Sequence, residues 1–259
     1  MLHSLENIPP LLIIGKNGTL GKAFAKISQQ RQINYKLLCR DDCDISEAHT
    51  IESVIDFYKP STIINAAGYV RVDDAEKEIE KCFRENALGS HNLSSACKAH
   101  GIKLVTFSSD LVFDGQKKTP YIETDEVNPL NVYGRSKAES ERLVLQQDPS
   151  ALVIRTSAFF GPWDQYNFVH SVIENLSRNQ YISVADDVYI SPTYVPHLVY
   201  STLDLLIDGE SGIWHLSNQG SITWADLAYE VARRAGLNET FISALPLEFL
   251  NYEAPRPNY

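Results

Sequence analysis

Short apolar runs alternate along the chain with segments whose apolar residues recur every three to four positions. Leu11-Leu12-Ile13-Ile14 is the first run, ending at Gly15 as expected of a strand buried on both faces. A helix is predicted over residues 20–30, a second strand over 35–39, a helix over 51–58 that stops ahead of Pro60, and a third strand over 62–65. Residues 83–100 read as one helix closed at Gly101, where a left-handed residue costs little. A fourth strand over 103–107, a helix over 136–147 and a fifth strand over 151–155 complete the series.

Strands separated by helices of this length pair in parallel, because a hairpin cannot hold a helix in its turn. The pattern predicts an α/β fold, a doubly wound parallel sheet of Rossmann type, over residues 10–157. Ligands of such sheets lie beyond the carboxyl ends of the strands, so chemistry is sought just after each one. Past residue 157 the rhythm weakens, with Pro162, Trp163, Tyr166, Pro192, Pro196 and Trp214 punctuating shorter elements. Residues 158–259 are expected to form mainly a smaller substrate-binding region, with a return to the sheet near residues 188–207.

Gly15-Lys16-Asn17-Gly18-Thr19-Leu20-Gly21 lies between the first strand and the first helix, with the spacing GxxGxxG. Glycines there let the backbone turn sharply and approach a pyrophosphate, whose charge rests on the helix's free amides. That context makes residues 15–21 a dinucleotide loop rather than a turn alone. The second strand leads to Arg40, which can pair with a ribose 2′-phosphate and tilts the cofactor toward NADP(H), with NAD(H) as the alternative. Asp44 and Ile45 can hold an adenine by its amine and its face, although helix capping accounts for Asp44 as well. Ala66, Ala67 and Gly68 end the third strand with small side chains, leaving room for a flat ligand, and tight packing explains them equally.

Tyr133 and Lys137 stand four residues apart, on one face if the helix has begun. A neighbouring ammonium favours phenolate and is expected to lower the phenol's pKa. The end of the fourth strand supplies Ser109 and Asp110, so a hydroxyl, a phenol and an ammonium converge on the predicted cofactor edge.

Composition narrows the function further. The 259 residues carry a formal charge of −10, which excludes the positive field that gathers nucleic acid. No apolar stretch approaches the ~18 residues of a membrane span and no leader pattern opens the chain, so a cytoplasmic protein acting on small molecules is expected. Cys39, Cys43, Cys82 and Cys97 lack CxxC spacing and read as reduced thiols. The seven histidines lack ligand spacing, so no metal site is expected.

Val72-Asp73-Asp74-Ala75-Glu76, Asn86-Ala87-Leu88-Gly89, Ser109-Asp110, Val112-Phe113-Asp114-Gly115 and the long stretch from Asn128 through Tyr133 to Lys137 resemble signatures of the dTDP-4-dehydrorhamnose reductase family, among the extended short-chain dehydrogenases/reductases. Arg155-Thr156-Ser157, Ser191-Pro192-Thr193, Gly212-Ile213-Trp214-His215-Leu216 and Arg256-Pro257 extend the similarity over nearly the whole chain. The resemblance implies hydride transfer from NAD(P)H to the C4 carbonyl of a nucleotide-linked deoxysugar. It casts Tyr133 as proton donor, Lys137 as the group that tunes Tyr133 and holds the nicotinamide ribose, and Ser109 with Asp110 as substrate contacts.

Leu111 and Ala158 stand where the family has a tyrosine and a tryptophan that help enclose the sugar, and Ser109 replaces a threonine. The chain ends at Tyr259, where family members continue, so a truncated chain or a module of a longer polypeptide is expected, and a homodimer is left open. Two rivals follow from the same resemblance. One is a dinucleotide-binding regulatory module like the regulatory subunit of methionine adenosyltransferase, favoured by Leu111 and Ala158 and opposed by Ser109, Tyr133 and Lys137. The other is an epimerase or dehydratase on the same scaffold.

Overall fold

A computed structural model describes residues 8–258; the residues scanned for a leader at positions 1–7, His3 among them, and Tyr259 lie outside that range. The chain runs β1 (Leu11–Ile14), α1 (Thr19–Gln30), β2 (Tyr35–Leu38), α2 (Ala48–Tyr58), β3 (Thr62–Asn65), α3 (Val72–Ala75), α4 (Ile79–Phe83), α5 (Gly89–His100), β4 (Lys103–Ser109), α6 (Val132–Gln147) and β5 (Leu152–Thr156). It continues through β6 (Phe159–Phe160), α7 (Phe168–Ser177), β7 (Ile182–Ala185), β8 (Tyr189–Ile190), β9 (Thr193–Tyr194), α8 (Val195–Ile207), β10 (Gly212–His215), β11 (Ile222–Thr223), α9 (Trp224–Ala235) and β12 (Ile242–Leu245).

Six strands form one parallel sheet in the order β10-β5-β4-β3-β1-β2. The order reverses between β1 and β3, which opens a crevice at their carboxyl ends. Alternate residues of β1 feed two cores, as strand pleating requires. Leu12 and Ile14 join Ile51, Ile55, Leu93 and Leu104 on one face, whereas Leu11 and Ile13 join Phe24, Ile27, Val199 and Leu203 on the other. The sheet is thus sandwiched by α2 and α5 on one side and by α1 and α8 on the other, and this explains why its central strands read as continuous apolar runs.

A smaller core of Val172, Leu176, Val184, Ala228, Ala232 and Ile242 joins α7 and α9 to the parallel pair β7 and β12. These elements follow β5, apart from the return to the sheet.

Two sequence expectations need correction. The return was expected near residues 188–207; the strand that re-enters the sheet is β10, which begins five residues past that range, while α8 occupies 195–207 as a covering helix. β10 is a four-residue edge strand with no fully buried position, so its apolar signal is weak. The single helix expected over residues 83–100 is divided by a π-helical turn at Arg84–Leu88. A π turn fits one additional residue into the helix, and periodicity alone does not reveal that.

Candidate active site

The floor of the crevice is built by glycines whose hydrogens are sterically required. Gly15 has φ +119°, and a Cβ there would lie 2.6 Å from the Ala66 carbonyl oxygen. A Cβ on Gly21 would lie 2.1 Å from the Gly15 carbonyl oxygen, so α1 can sit this close to the loop only with glycine there. At the start of α1, Gly18 provides no side-chain cap and the first turn holds no acidic residue. Its amides and positive dipole end are therefore suited to a pyrophosphate.

From this loop a cleft of about 1420 Å³ runs along the strand ends. Gly15, Gly18, Thr19, Leu20, Arg40, Asp44, Ile45, Ala66, Ala67 and Gly68 line it at one end, and Ser109, Asp110, Tyr133 and Lys137 line it further along. Gly21 is the exception, since it faces Gly15 rather than the cleft. Asp44 accepts hydrogen bonds from the Ser46 amide and hydroxyl at 3.0 and 2.8 Å, so the local-turn role open to it is occupied. Arg40 is engaged as well: its Nη2 lies 2.9 Å from Glu85 Oε2 and its Nε 4.0 Å from Asp44.

The first turn of α6 carries the phenol to the strand ends. Asn131 caps it by accepting from the Gly134 amide at 2.7 Å, and Glu76 Oε1 accepts from the Val132 amide at 2.7 Å. Gly134 allows a close approach to the 110–112 turn, because a Cβ would lie 2.1 Å from the Leu111 carbonyl oxygen. Tyr133 thereby stands beside Ser109 and Asp110.

Ser109 Oγ donates to Asp110 Oδ1 at 2.9 Å and accepts from the Leu111 amide at 3.2 Å, while Ser157 Oγ donates to Asp110 Oδ2 at 2.5 Å. Desolvation pushes the Asp110 carboxyl above the ordinary carboxylate range despite these two donors. Lys137 is buried, donates from Nζ to the Phe107 carbonyl at 3.1 Å, and lies 5.8 Å from the centre of the Tyr133 ring. Burial pulls its ammonium down to about 8.

The phenol does not follow the sequence expectation. Burial, reinforced by the nearby Asp110, pushes Tyr133 above its ordinary value, and these outweigh the opposing bond to Ser109. The Lys137 ammonium, turned to a backbone carbonyl, does not offset them.

Several connections escaped sequence reasoning. Asn86, on the π turn, accepts from the Tyr69 amide at 2.8 Å and donates to the Tyr69 carbonyl at 3.1 Å and to Ser136 Oγ at 2.9 Å, joining the segment after β3 to α6. Asp73 clamps the end of the described chain, accepting from the amides of Glu253 and Ala254 at 3.0 Å and pairing with Arg256 at 2.7 Å. The motifs around residues 73 and 256 are visible in the sequence, but their pairing across 183 positions is not.

A family model for the RmlD substrate binding domain matches residues 10–259. The chain belongs to the dTDP-4-dehydrorhamnose reductase family. A dTDP-4-dehydrorhamnose reductase of Aggregatibacter actinomycetemcomitans is 36% identical over 229 residues, covering 85% of this chain and 77% of the relative. The crystal structure of the Bacillus anthracis reductase in complex with NADP superposes with a TM-score of 0.93 at 31% identity, over 97% of this chain and 89% of that one. A dTDP-4-dehydrorhamnose reductase structure from Clostridium acetobutylicum gives a TM-score of 0.92 at 30% identity, over 96% and 88% of the two chains. Leu111 and Ala158 both line the cleft. All four cysteines are unpaired, and Cys43, Cys82 and Cys97 are buried. Among the described residues no helix is long and apolar enough to cross a membrane.

Proposed function

We propose that the protein is a cytoplasmic NAD(P)H-dependent reductase of the 4-keto group of a nucleotide-linked deoxysugar, with NADP(H) preferred and NAD(H) as the alternative. The observation that carries this reading is one continuous cleft joining the glycine loop to Ser109, Tyr133 and Lys137. Residues 10–157 serve as the dinucleotide half, and residues 158–259 mainly cover the substrate. The cofactor supplies hydride to the carbonyl carbon.

This chain's own residues supply the rest. The glycine loop and the start of α1 hold the pyrophosphate, Ile45 backs the adenine, and Ala66 to Gly68 leave room along the strand edge. The Tyr133 hydroxyl gives its proton to the carbonyl oxygen as negative charge develops there. Its raised pKa keeps it protonated, hence in the donor form, throughout the neutral range. Ser109 steadies the carbonyl oxygen once its hydroxyl turns from Asp110, and Asp110 remains anchored by Ser157. Lys137, charged below about 8, holds the nicotinamide ribose and stabilises the phenolate left after proton transfer.

The test is incubation with NADPH and a panel of 4-keto nucleotide sugars, following the absorbance of the reduced cofactor. Consumption with a 4-keto sugar supports the reading. Retained dinucleotide binding without consumption of any sugar transfers support to the regulatory alternative.

The pH profile is a second check. Deprotonation of Lys137 removes the positive charge that phenolate formation requires, while Tyr133 stays protonated above that point. kcat/KM is therefore expected to be level in the neutral range and to fall as pH rises through about 8. A profile that holds level well beyond that pH would leave the ammonium without this role.

A further inference from the structure

Glu85 sits on the π turn, is buried, and lines the adenosine end of the cleft with Arg40, Asp44 and Ile45. One of its oxygens, Oε2, pairs with Arg40 at 2.9 Å, whereas Oε1 is buried without a hydrogen-bond partner among the described residues. The turn that carries Glu85 is fixed against this end of the cleft. Four residues on, a Cβ at Gly89 would lie 2.6 Å from Ile45, and Asn92 Nδ2 donates to the Ile45 carbonyl at 3.1 Å. Glu85 therefore has little freedom to follow Arg40 if the guanidinium moves.

Arg40 is mostly exposed and lies between two carboxylates, those of Glu85 and Asp44. A 2′-phosphate drawing on Arg40 meets their repulsion and must share the guanidinium with, or take it from, a buried carboxylate that has already lost its water. Leaving a buried charge without its partner is strongly unfavourable. A ribose 2′-hydroxyl, being neutral, meets neither obstacle.

We propose that Glu85 is a specificity-determining residue that restrains Arg40 and narrows the preference for a 2′-phosphorylated dinucleotide, keeping NADH usable. This rests on the reading of Arg40 as the residue that faces the 2′ position. Glu85 acts through Arg40 and is a positioning residue.

Binding of two adenosine probes to the full chain, by calorimetry, tests the proposal without turnover. Glu85→Gln is expected to tighten adenosine 2′,5′-bisphosphate about fivefold while leaving adenosine 5′-monophosphate unchanged, as removal of a nearby like charge predicts. Glu85→Leu removes the carboxylate without placing a polar group in the apolar site, and it should shift the ratio in the same direction if the glutamine variant folds poorly. An unchanged or reduced ratio of the two affinities in the folded variants overturns the proposal. Arg40→Ala separates the two premises. If it abolishes discrimination between the probes while the Glu85 variants behave as wild type, the Glu85 proposal alone fails. If it leaves discrimination intact, the Arg40 reading fails and the Glu85 proposal falls with it.

Discussion

Tyr133→Phe is expected to lower kcat for 4-keto sugar reduction by ~10² to 10⁴, the usual contribution of a positioned proton donor. Phenylalanine keeps the ring, which packs against the small cluster of Tyr69, Ala75, Cys82 and Val132, and removes only the hydroxyl. The lost atom lies in the site rather than in a core contact, so thermal stability and dinucleotide affinity should stay close to wild type. The loss should appear in kcat and kcat/KM together, because the proton moves only in the transition state. The measurement is steady-state reduction at saturating cofactor, with NADPH affinity determined separately by fluorescence titration. A variant that retains more than about a tenth of the wild-type rate would assign the proton to another group, and the two candidates are Ser109 and the Asp110 carboxyl with its raised pKa. Ser109→Ala would then distinguish between them.

The sheet was legible in the sequence because its physics is local and strong. A strand buried on both faces is mostly apolar, and Leu11 to Ile14 and the Ile63-Ile64 centre of β3 are fully buried as their composition implies. The glycine loop was legible for a related reason, since close approach excludes any side chain at Gly15 and Gly21. Tyr133 and Lys137 were visible through their spacing on one helix. What the sequence concealed depends on encounters between distant positions. Arg40 could be seen, but not that Glu85, 45 residues later, would occupy its guanidinium. The upward displacement of the Tyr133 phenol arises from burial and from Asp110 on another element, so spacing to Lys137 gave the wrong sign. β10 was placed too early because a half-buried edge strand of four residues has little apolar signal, whereas α8 just before it has much.

The same dependence on distant partners underlies the second large effect. Glu141 on α6 and Arg155 on β5 form a bidentate pair at 2.9 and 2.6 Å, with both side chains 5% exposed. The guanidinium also reaches His215 Nε2 at 3.2 Å and lies 5.0 Å from the centre of the Phe113 ring, so it joins α6, β5, β10 and the segment after β4. Glu141→Ala leaves that cation buried with no carboxylate in contact, a change that typically costs about 3–5 kcal/mol. Denaturant unfolding followed by circular dichroism should show a lowered midpoint with little change in slope, since the surface exposed on unfolding is nearly the same. The double variant Glu141→Leu/Arg155→Leu tells the penalty of an unpaired charge apart from the intrinsic value of the pair. If the penalty comes mainly from the orphaned guanidinium, the double variant should recover most of the lost stability, because apolar replacements of a buried pair are often neutral or better. A single variant within about 1 kcal/mol of wild type would mean that the cation finds solvent or another acceptor. Activity supplies an independent reading. Arg155 precedes Thr156 and Ser157, and Ser157 anchors Asp110 at 2.5 Å, so a double variant that folds well but reduces slowly would show that the pair supports the cleft, through Arg155 as a lining residue or through the strand end it holds.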